Sequence, residues 1–241
     1  MEYLPSLIDP NETFNVNESL VPLRDLKTAS QSSISLDGLL QNPLILQEDL
    51  KEGCGGQLWP AGMVLSKYLL RQHRSSFLNK TIVELGAGGG LVGLAVARGC
   101  NIGLQPIYIT DQTSMLPLME TNIKLNGLSS VVAATVLNWG EPLPTSIPRH
   151  PTIILAADCV YFEPAFPLLI STLSDLLGPN SVCYFCFKRR RRADIRFMKQ
   201  ARKIFHVKEI SDDPDADAYR RENIYLYAIR RKLDKNMTAT S

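Results

Sequence analysis

From residue 81 onward, short apolar runs alternate with helical patterns, and this alternation restricts the fold more than any other feature of the chain. Residues 81–85 read as a buried strand, followed by glycines and a helix over 91–98. A strand over 107–110 precedes a helix over 114–125 that ends at Asn126-Gly127. Strands follow over 131–136 and 153–157, and a helix over 165–177 is stopped by Gly178-Pro179. A strand over 182–187 leads to an amphipathic helix over 194–204. The last two strands, 207–210 and 224–229, have only the acidic loop Ser211-Asp212-Asp213-Pro214-Asp215 between them, with no helix. Repeated β and α units of this length predict a doubly wound α/β fold, with a mainly parallel sheet covered on both faces. The final pair, lacking a crossover, is expected to be antiparallel, giving seven strands with the last inserted against the parallel set.

Ahead of this region, residues 1–32 read as a loose polar arm. Ile34-Ser35-Leu36, the turn Asp37-Gly38 and the extended Leu44-Ile45-Leu46 predict an N-terminal β-hairpin extension. Gly53-Cys54-Gly55-Gly56 is a flexible connector, and Pro60 opens a helix carrying Met63, Val64, Tyr68 and Leu69 at helical spacing. The expected organisation is therefore an arm and hairpin over 1–52, a ligand-binding domain over 53–233 and a disordered tail over 234–241. With 26 basic and 24 acidic side chains, the net charge of +2 gives no global nucleic-acid signal. No run is apolar enough to span a membrane, and the first residues lack the basic-then-apolar pattern of a secretory signal. The five cysteines show no metal spacing. Cys183 and Cys186 form a C-x-x-C within a strand, which puts them on opposite faces and suits neither zinc nor a disulfide. These features predict a cytoplasmic protein with reduced cysteines and no metal site.

The candidate site centres on Val83-Glu84-Leu85-Gly86-Ala87-Gly88-Gly89-Gly90-Leu91, a glycine turn between a buried strand and a helix, where a ligand approaches the backbone closely. Dinucleotide enzymes carry G-x-G-x-x-G at the same topological place. Asp111, at the end of the next strand, can accept ribose hydroxyls from NAD or from S-adenosylmethionine alike. Glu84 separates the two, because a carboxylate before the first glycine opposes a pyrophosphate and suits a ligand with an ammonium and a sulfonium. Trp139, in Leu137-Asn138-Trp139-Gly140-Glu141, and Trp59, in Leu58-Trp59-Pro60, either stack on an adenine or fill the core. Ala157-Asp158-Cys159-Val160-Tyr161 closes the fourth strand of the domain, at the edge where open α/β sheets bind ligands. Asp158 and Tyr161 there can flank an amine, although Asp158 could instead cap the helix near Pro164.

This series resembles the class I protein-lysine methyltransferases of methyltransferase family 16, from about Gly53 to Arg230. The D-x-x-Y of Asp158 to Tyr161 and the pair Trp139-Gly140 carry the likeness. Within the family it is most similar to the elongation factor 1A lysine methyltransferases, through Gly53-Cys54-Gly55-Gly56, Trp139-Gly140-Glu141-Pro142-Leu143, and Lys188-Arg189-Arg190-Arg191-Arg192-Ala193-Asp194. The resemblance implies a Rossmann-like class I fold and S-adenosyl-L-methionine as cofactor. It also implies cofactor contacts at Trp59, Gly86, Ala87, Gly88, Asp111, Trp139 and Ala157, joined to Glu84 from the reasoning above. Asp158 and Tyr161 become the acceptor channel, and the substrate a protein, elongation factor 1A, met by a monomeric enzyme without direct nucleic-acid binding. Several relatives carry an acid after the fifth strand where this chain has the basic run Lys188 to Arg192, which reads as a solvated strand end or as a partner-facing surface. Rival readings are methylation of another protein, such as a chaperone or ATPase, methylation of RNA or a small molecule, and a non-catalytic module. Asp158-Cys159-Val160-Tyr161 is not the N-P-P-Y pattern of amide or base acceptors, and a module has no use for intact glycines with Glu84 and Asp111.

Overall fold

In β7 (Val182–Lys188) the side chains alternate between two separate cores. Val182, Tyr184 and Cys186 join one core, and Cys183, Phe185 and Phe187 join the other. A strand buried on both faces has to be apolar throughout, which is why this run lacks polar alternation. The computed structural model describes residues 30–49 and 54–232, so most of the expected arm, the expected tail and Gly53 lie outside the described residues. The other strands of the sheet are β3 (Ile82–Leu85), β4 (Ile107–Asp111), β5 (Val132–Val136), β6 (Ile153–Ala157), β8 (Phe205–Glu209) and β9 (Ile224–Arg231). Their order is β5-β4-β3-β6-β7-β9-β8. The first five run parallel, and β9 lies antiparallel between β7 and β8. The expected seven strands and the inserted last strand are both present.

Helices α1 (Pro60–Gln72), α2 (Leu91–Gly99) and α3 (Leu116–Leu125) contribute to the first core, while α4 (Phe166–Leu176) and α5 (Arg192–Ile204) cover the opposite face. Cys183 and Cys186 are fully buried in different cores, as the strand period requires, and burial pushes both thiols far above their ordinary range. No group of potential metal ligands forms among the described residues. No helix among them is long and apolar enough to cross a membrane.

The N-terminal hairpin, β1 (Ser30–Ile34) with β2 (Leu44–Glu48), is a separate two-stranded sheet, and β1 begins inside the span expected to be a loose arm. Leu36, expected to continue the strand, turns instead, with φ at 53° there and 58° at Asp37. The free edge of β2 is not left unpaired. Asn126, at the end of α3, accepts from the Ile45 N–H at 2.9 Å and donates to the Ile45 carbonyl at 2.8 Å. One turn earlier, Asn122 does the same for Gln47, at 2.8 and 3.2 Å, and also donates to the Gly89 carbonyl at 2.9 Å. Two side-chain amides thus stand in for a neighbouring strand and cover an edge that would otherwise template aggregation.

One expectation fails. A six-residue helix, α6 (Ala216–Arg221), sits between β8 and β9, where only an acidic loop was expected. Its support is remote in sequence. Arg71 of α1 donates to Asp213 at 2.9 Å and to Asp215 at 2.8 Å, with Tyr219 within 3.4 Å. Two of the loop's three acids, Asp213 and Asp215, are therefore held by one guanidinium and fix the short helix, which local pattern alone does not signal. The two strands remain antiparallel because α6 is too short for a crossover.

Asn126→Leu is expected to lower the free energy of unfolding by about 2–4 kcal/mol in urea titration, because Ile45 would lose both amide partners inside the structure. A change within measurement error would show that the β2 edge is satisfied by water instead.

Candidate functional site

Chain order reverses between β3 and β6, and the loops leaving the carboxyl ends of the strands diverge there. The gap they leave is a cleft of about 870 Å³. All ten candidate residues line it: Trp59, Glu84, Gly86, Ala87, Gly88, Asp111, Trp139, Ala157, Asp158 and Tyr161.

The glycine turn forms the floor. A Cβ on Gly86, where φ is 59°, would lie 2.9 Å from the ring of Trp139 and 2.9 Å from the sulfur of Cys159. One on Gly88, φ 54°, would lie 2.3 Å from the carbonyl oxygen of Gly55. Only glycine meets both the left-handed backbone and the close approach. Gly55, counted above as connector, therefore closes over the turn and belongs to the site. Asp111 accepts from the Gly88 N–H at 2.8 Å through one oxygen and from the Gln112 N–H at 2.7 Å through the other. Each oxygen keeps a lone pair, so a vicinal diol has two acceptors waiting.

Glu84 is 2% exposed and accepts from the Gly93 N–H of α2 at 2.7 Å. Burial pushes its carboxyl up to about 8, against the pull of backbone hydrogen bonds from Gly93 and Val92. Near neutral pH the acid is therefore mostly protonated, and a cation brought to the cleft would ionise it. Trp139 and Trp59 are half-buried and line the cleft, and Trp139 also packs against the second core. Gly140 donates to Thr172 of α4 at 2.9 Å, which ties the Trp139 loop to the sheet face below.

Just past β6, Asp158 occupies left-handed backbone, φ 54°, a conformation that aspartate tolerates better than most residues. Its N–H donates to the Cys186 carbonyl at 2.8 Å, and its side chain turns into the cleft. It caps no helix; Phe162 precedes the short helical turn that leads into α4. Its carboxylate instead accepts from the Lys188 N–H at 3.1 Å and from both terminal nitrogens of Arg190 at 2.9 Å. Tyr161, 44% exposed, stands at the rim with Phe162 and Leu168.

The basic run is thus neither a plain solvated end nor a plain surface. Arg189 donates to the Tyr225 hydroxyl at 2.8 Å, and Arg190 clamps Asp158. Arg191 donates to the Tyr161 carbonyl and pairs with the fully buried Asp194. Asp194 also accepts the Arg190 and Arg191 N–H groups, at 2.8 and 3.0 Å, so α5 starts at Arg192 and not at Asp194. Arg190 and Arg191 line the cleft, and the run itself was the sequence signal that pointed to them.

Comparison with known proteins agrees with this geometry. The profile of the lysine methyltransferase family matches residues 39–204. The chain is similar to "Protein-lysine N-methyltransferase EFM6" of Saccharomyces cerevisiae, 36% identical over 237 residues, covering 88% of this chain and 96% of the relative. It is also similar to "Protein N-lysine methyltransferase METTL21A" of Danio rerio, 32% identical, covering 84% and 91%. A third relative is "EEF1A lysine methyltransferase 3" of Mus musculus, 32% identical, covering 75% and 74%. Among solved structures, the fold is shared with P. horikoshii TYW2 in complex with MeSAdo, at a TM-score of 0.50 and 13% identity, covering 84% of this chain and 70% of that one. It is shared too with the apo form of the S-adenosylmethionine-dependent methyltransferase SibL, at a TM-score of 0.51 and 14% identity, covering 71% and 56%. With the profile spanning most of the chain and the yeast and zebrafish relatives matched over more than nine-tenths of their length, this chain belongs to the lysine methyltransferase family.

Proposed function

We propose that this lysine methyltransferase uses S-adenosylmethionine to methylate a lysine of translation elongation factor 1A, acting in the cytoplasm as a monomer that binds neither membrane nor nucleic acid. The observation that carries the reading is the convergence of the glycine turn, Glu84, Asp111, Trp139 and the Asp158–Tyr161 motif on one cleft. The mouse relative named for elongation factor 1A supports the choice of substrate.

The residues present fit this cofactor. Gly86 and Gly88 leave a cradle that a Cβ would fill. Asp111 offers two acceptors for ribose hydroxyls, and the indoles of Trp139 and Trp59 wall a space suited to a purine. Glu84 gives the floor a group that ionises in answer to a cation. When bound, S-adenosylmethionine supplies an electrophilic methyl group on a sulfonium. The chain's own task is orientation and the delivery of a neutral amine. A lysine, ordinarily protonated with a pKa of about 10.4, loses its proton more readily beside another cation in a desolvated channel. Asp158 accepts a hydrogen bond from that amine, and Tyr161 walls the channel.

Three outcomes are expected. In calorimetry, S-adenosylhomocysteine binds with micromolar affinity or better and NAD does not, while Trp139→Ala weakens binding far more than it lowers the melting temperature of the free protein. Tight NAD binding with no response to S-adenosylhomocysteine would overturn the cofactor. The second outcome concerns pH. Because the free site holds Glu84 protonated below about 8, binding of the cationic ligand should release a proton. Affinity should then climb with pH up to about that value and level off above it, and equal heats in buffers of different ionisation enthalpy would contradict this. The third outcome concerns the acceptor: Asp158→Ala abolishes methylation of elongation factor 1A but keeps S-adenosylhomocysteine affinity within about tenfold, roughly 1.4 kcal/mol. Undiminished turnover by that variant would remove Asp158 from the acceptor site, and an unlabelled elongation factor 1A with the wild-type enzyme would remove the substrate.

A further inference from the structure

Arg190 stands in the turn from β7 to α5 and reaches across the mouth of the cleft. Its Nη1 and Nη2 donate to separate oxygens of Asp158, each at 2.9 Å. Nη1 also reaches the Lys188 carbonyl at 3.2 Å, and the guanidinium carbon lies 5.3 Å from the ring centroid of Trp59. The backbone N–H of the same residue is held by the buried Asp194 at 2.8 Å. A cation restrained at so many points is a fixture of the site, not a mobile surface side chain.

We infer that Arg190 is a positioning residue for the acceptor amine, acting through Asp158: it fixes the carboxylate and balances its charge, so that the subsite takes a neutral amine in preference to an ammonium. This rests on the reading of Asp158 as the acceptor residue. The Asp158 side chain is 4% exposed. Without a countercharge, a carboxylate so placed would draw an ammonium and stabilise it, and an ammonium has no lone pair with which to displace a leaving group. With the guanidinium in place the pair is close to neutral, and the incoming R–NH3+ gives its proton to solvent and enters as R–NH2. The geometry leaves a place for that amine. Oδ1 of Asp158 already takes two hydrogen bonds, from the Lys188 N–H and from Nη1 of Arg190. Among the described residues Oδ2 takes only the bond from Nη2, so one lone pair is left to accept an N–H from the substrate. The planar fork matters as well as the charge, since only a guanidinium bridges both oxygens at once.

The test uses the full chain saturated with S-adenosylhomocysteine, and n-butylammonium as a probe of the lysine subsite. Arg190→Met removes the charge and keeps an apolar stem against Trp59; Arg190→Gln, which retains a hydrogen bond to Asp158, is carried alongside in case the methionine variant does not fold. At about pH 7 either variant should bind n-butylammonium more tightly than wild type by about tenfold or more, the change that one pKa unit represents. The gain should vanish when Asp158→Asn is added. On elongation factor 1A, turnover by the uncharged variants should be depressed near neutrality, with the deficit closing as the pH approaches the pKa of free lysine. Arg190→Lys should be slower than wild type and keep its pH profile. Unchanged n-butylammonium affinity in the uncharged variants overturns the inference, as does a pH-independent loss shared equally by the lysine and methionine variants. If wild type leaves elongation factor 1A unmethylated while the affinity gain is seen, the proposed substrate falls and the role of Arg190 stands.

Discussion

Between β3 and β6 the chain changes the direction in which it adds strands, and helices from the two halves fall on opposite faces of the sheet. At that reversal no helix can cover the carboxyl edge, because the connections on either side lead away from each other. The cleft is the direct consequence of this constraint. It explains why residues as distant in sequence as Trp59, Gly86, Asp111, Trp139 and Asp158 share one space. It also explains the demand on the turn after β3, where backbone, the Trp139 ring and the Cys159 sulfur crowd one another so closely that a single Cβ has no room.

Much of this was legible in the sequence, and the boundary of legibility has a physical meaning. Patterns carried by neighbours in the chain came through: the apolar run of β7, the glycine turn, and the missing crossover before β9. The helix α6 did not, because it is held by Arg71 from the far end of the domain, and no periodicity within six residues encodes a contact 142 residues away. Asn122 and Asn126 were visible only as the polar end of a helix. Their work, completing the edge of β2, depends on a docking that no local rule describes. Boundaries moved for a similar reason, as with α5, whose start is set by Asp194 reaching back to two backbone N–H groups.

The basic run after β7 illustrates how charge on paper differs from charge in space. Five consecutive cations look like a surface field. In the fold, Arg189 meets a tyrosine, Arg190 an aspartate in the cleft, and Arg191 a buried aspartate and a carbonyl. The four arginines stay exposed, yet three of them are tied to fixed partners, and the run lies beside the Asp158–Tyr161 motif at the cleft. Likewise two acids of the loop before α6 are held by Arg71, Asp213 buried and Asp215 nearer the surface.

The two asparagine amides on α3 also bear on the order in which the chain matures. A two-stranded hairpin alone is marginal in water, and this one has its open edge completed by residues some 75 to 81 positions later. The hairpin therefore leaves the ribosome well before α3, yet it cannot settle until α3 has emerged and formed. During that interval its unpaired edge and the apolar Leu44 and Leu46 are open to chance encounters, so a chaperone that shelters nascent strands would find its target in this hairpin.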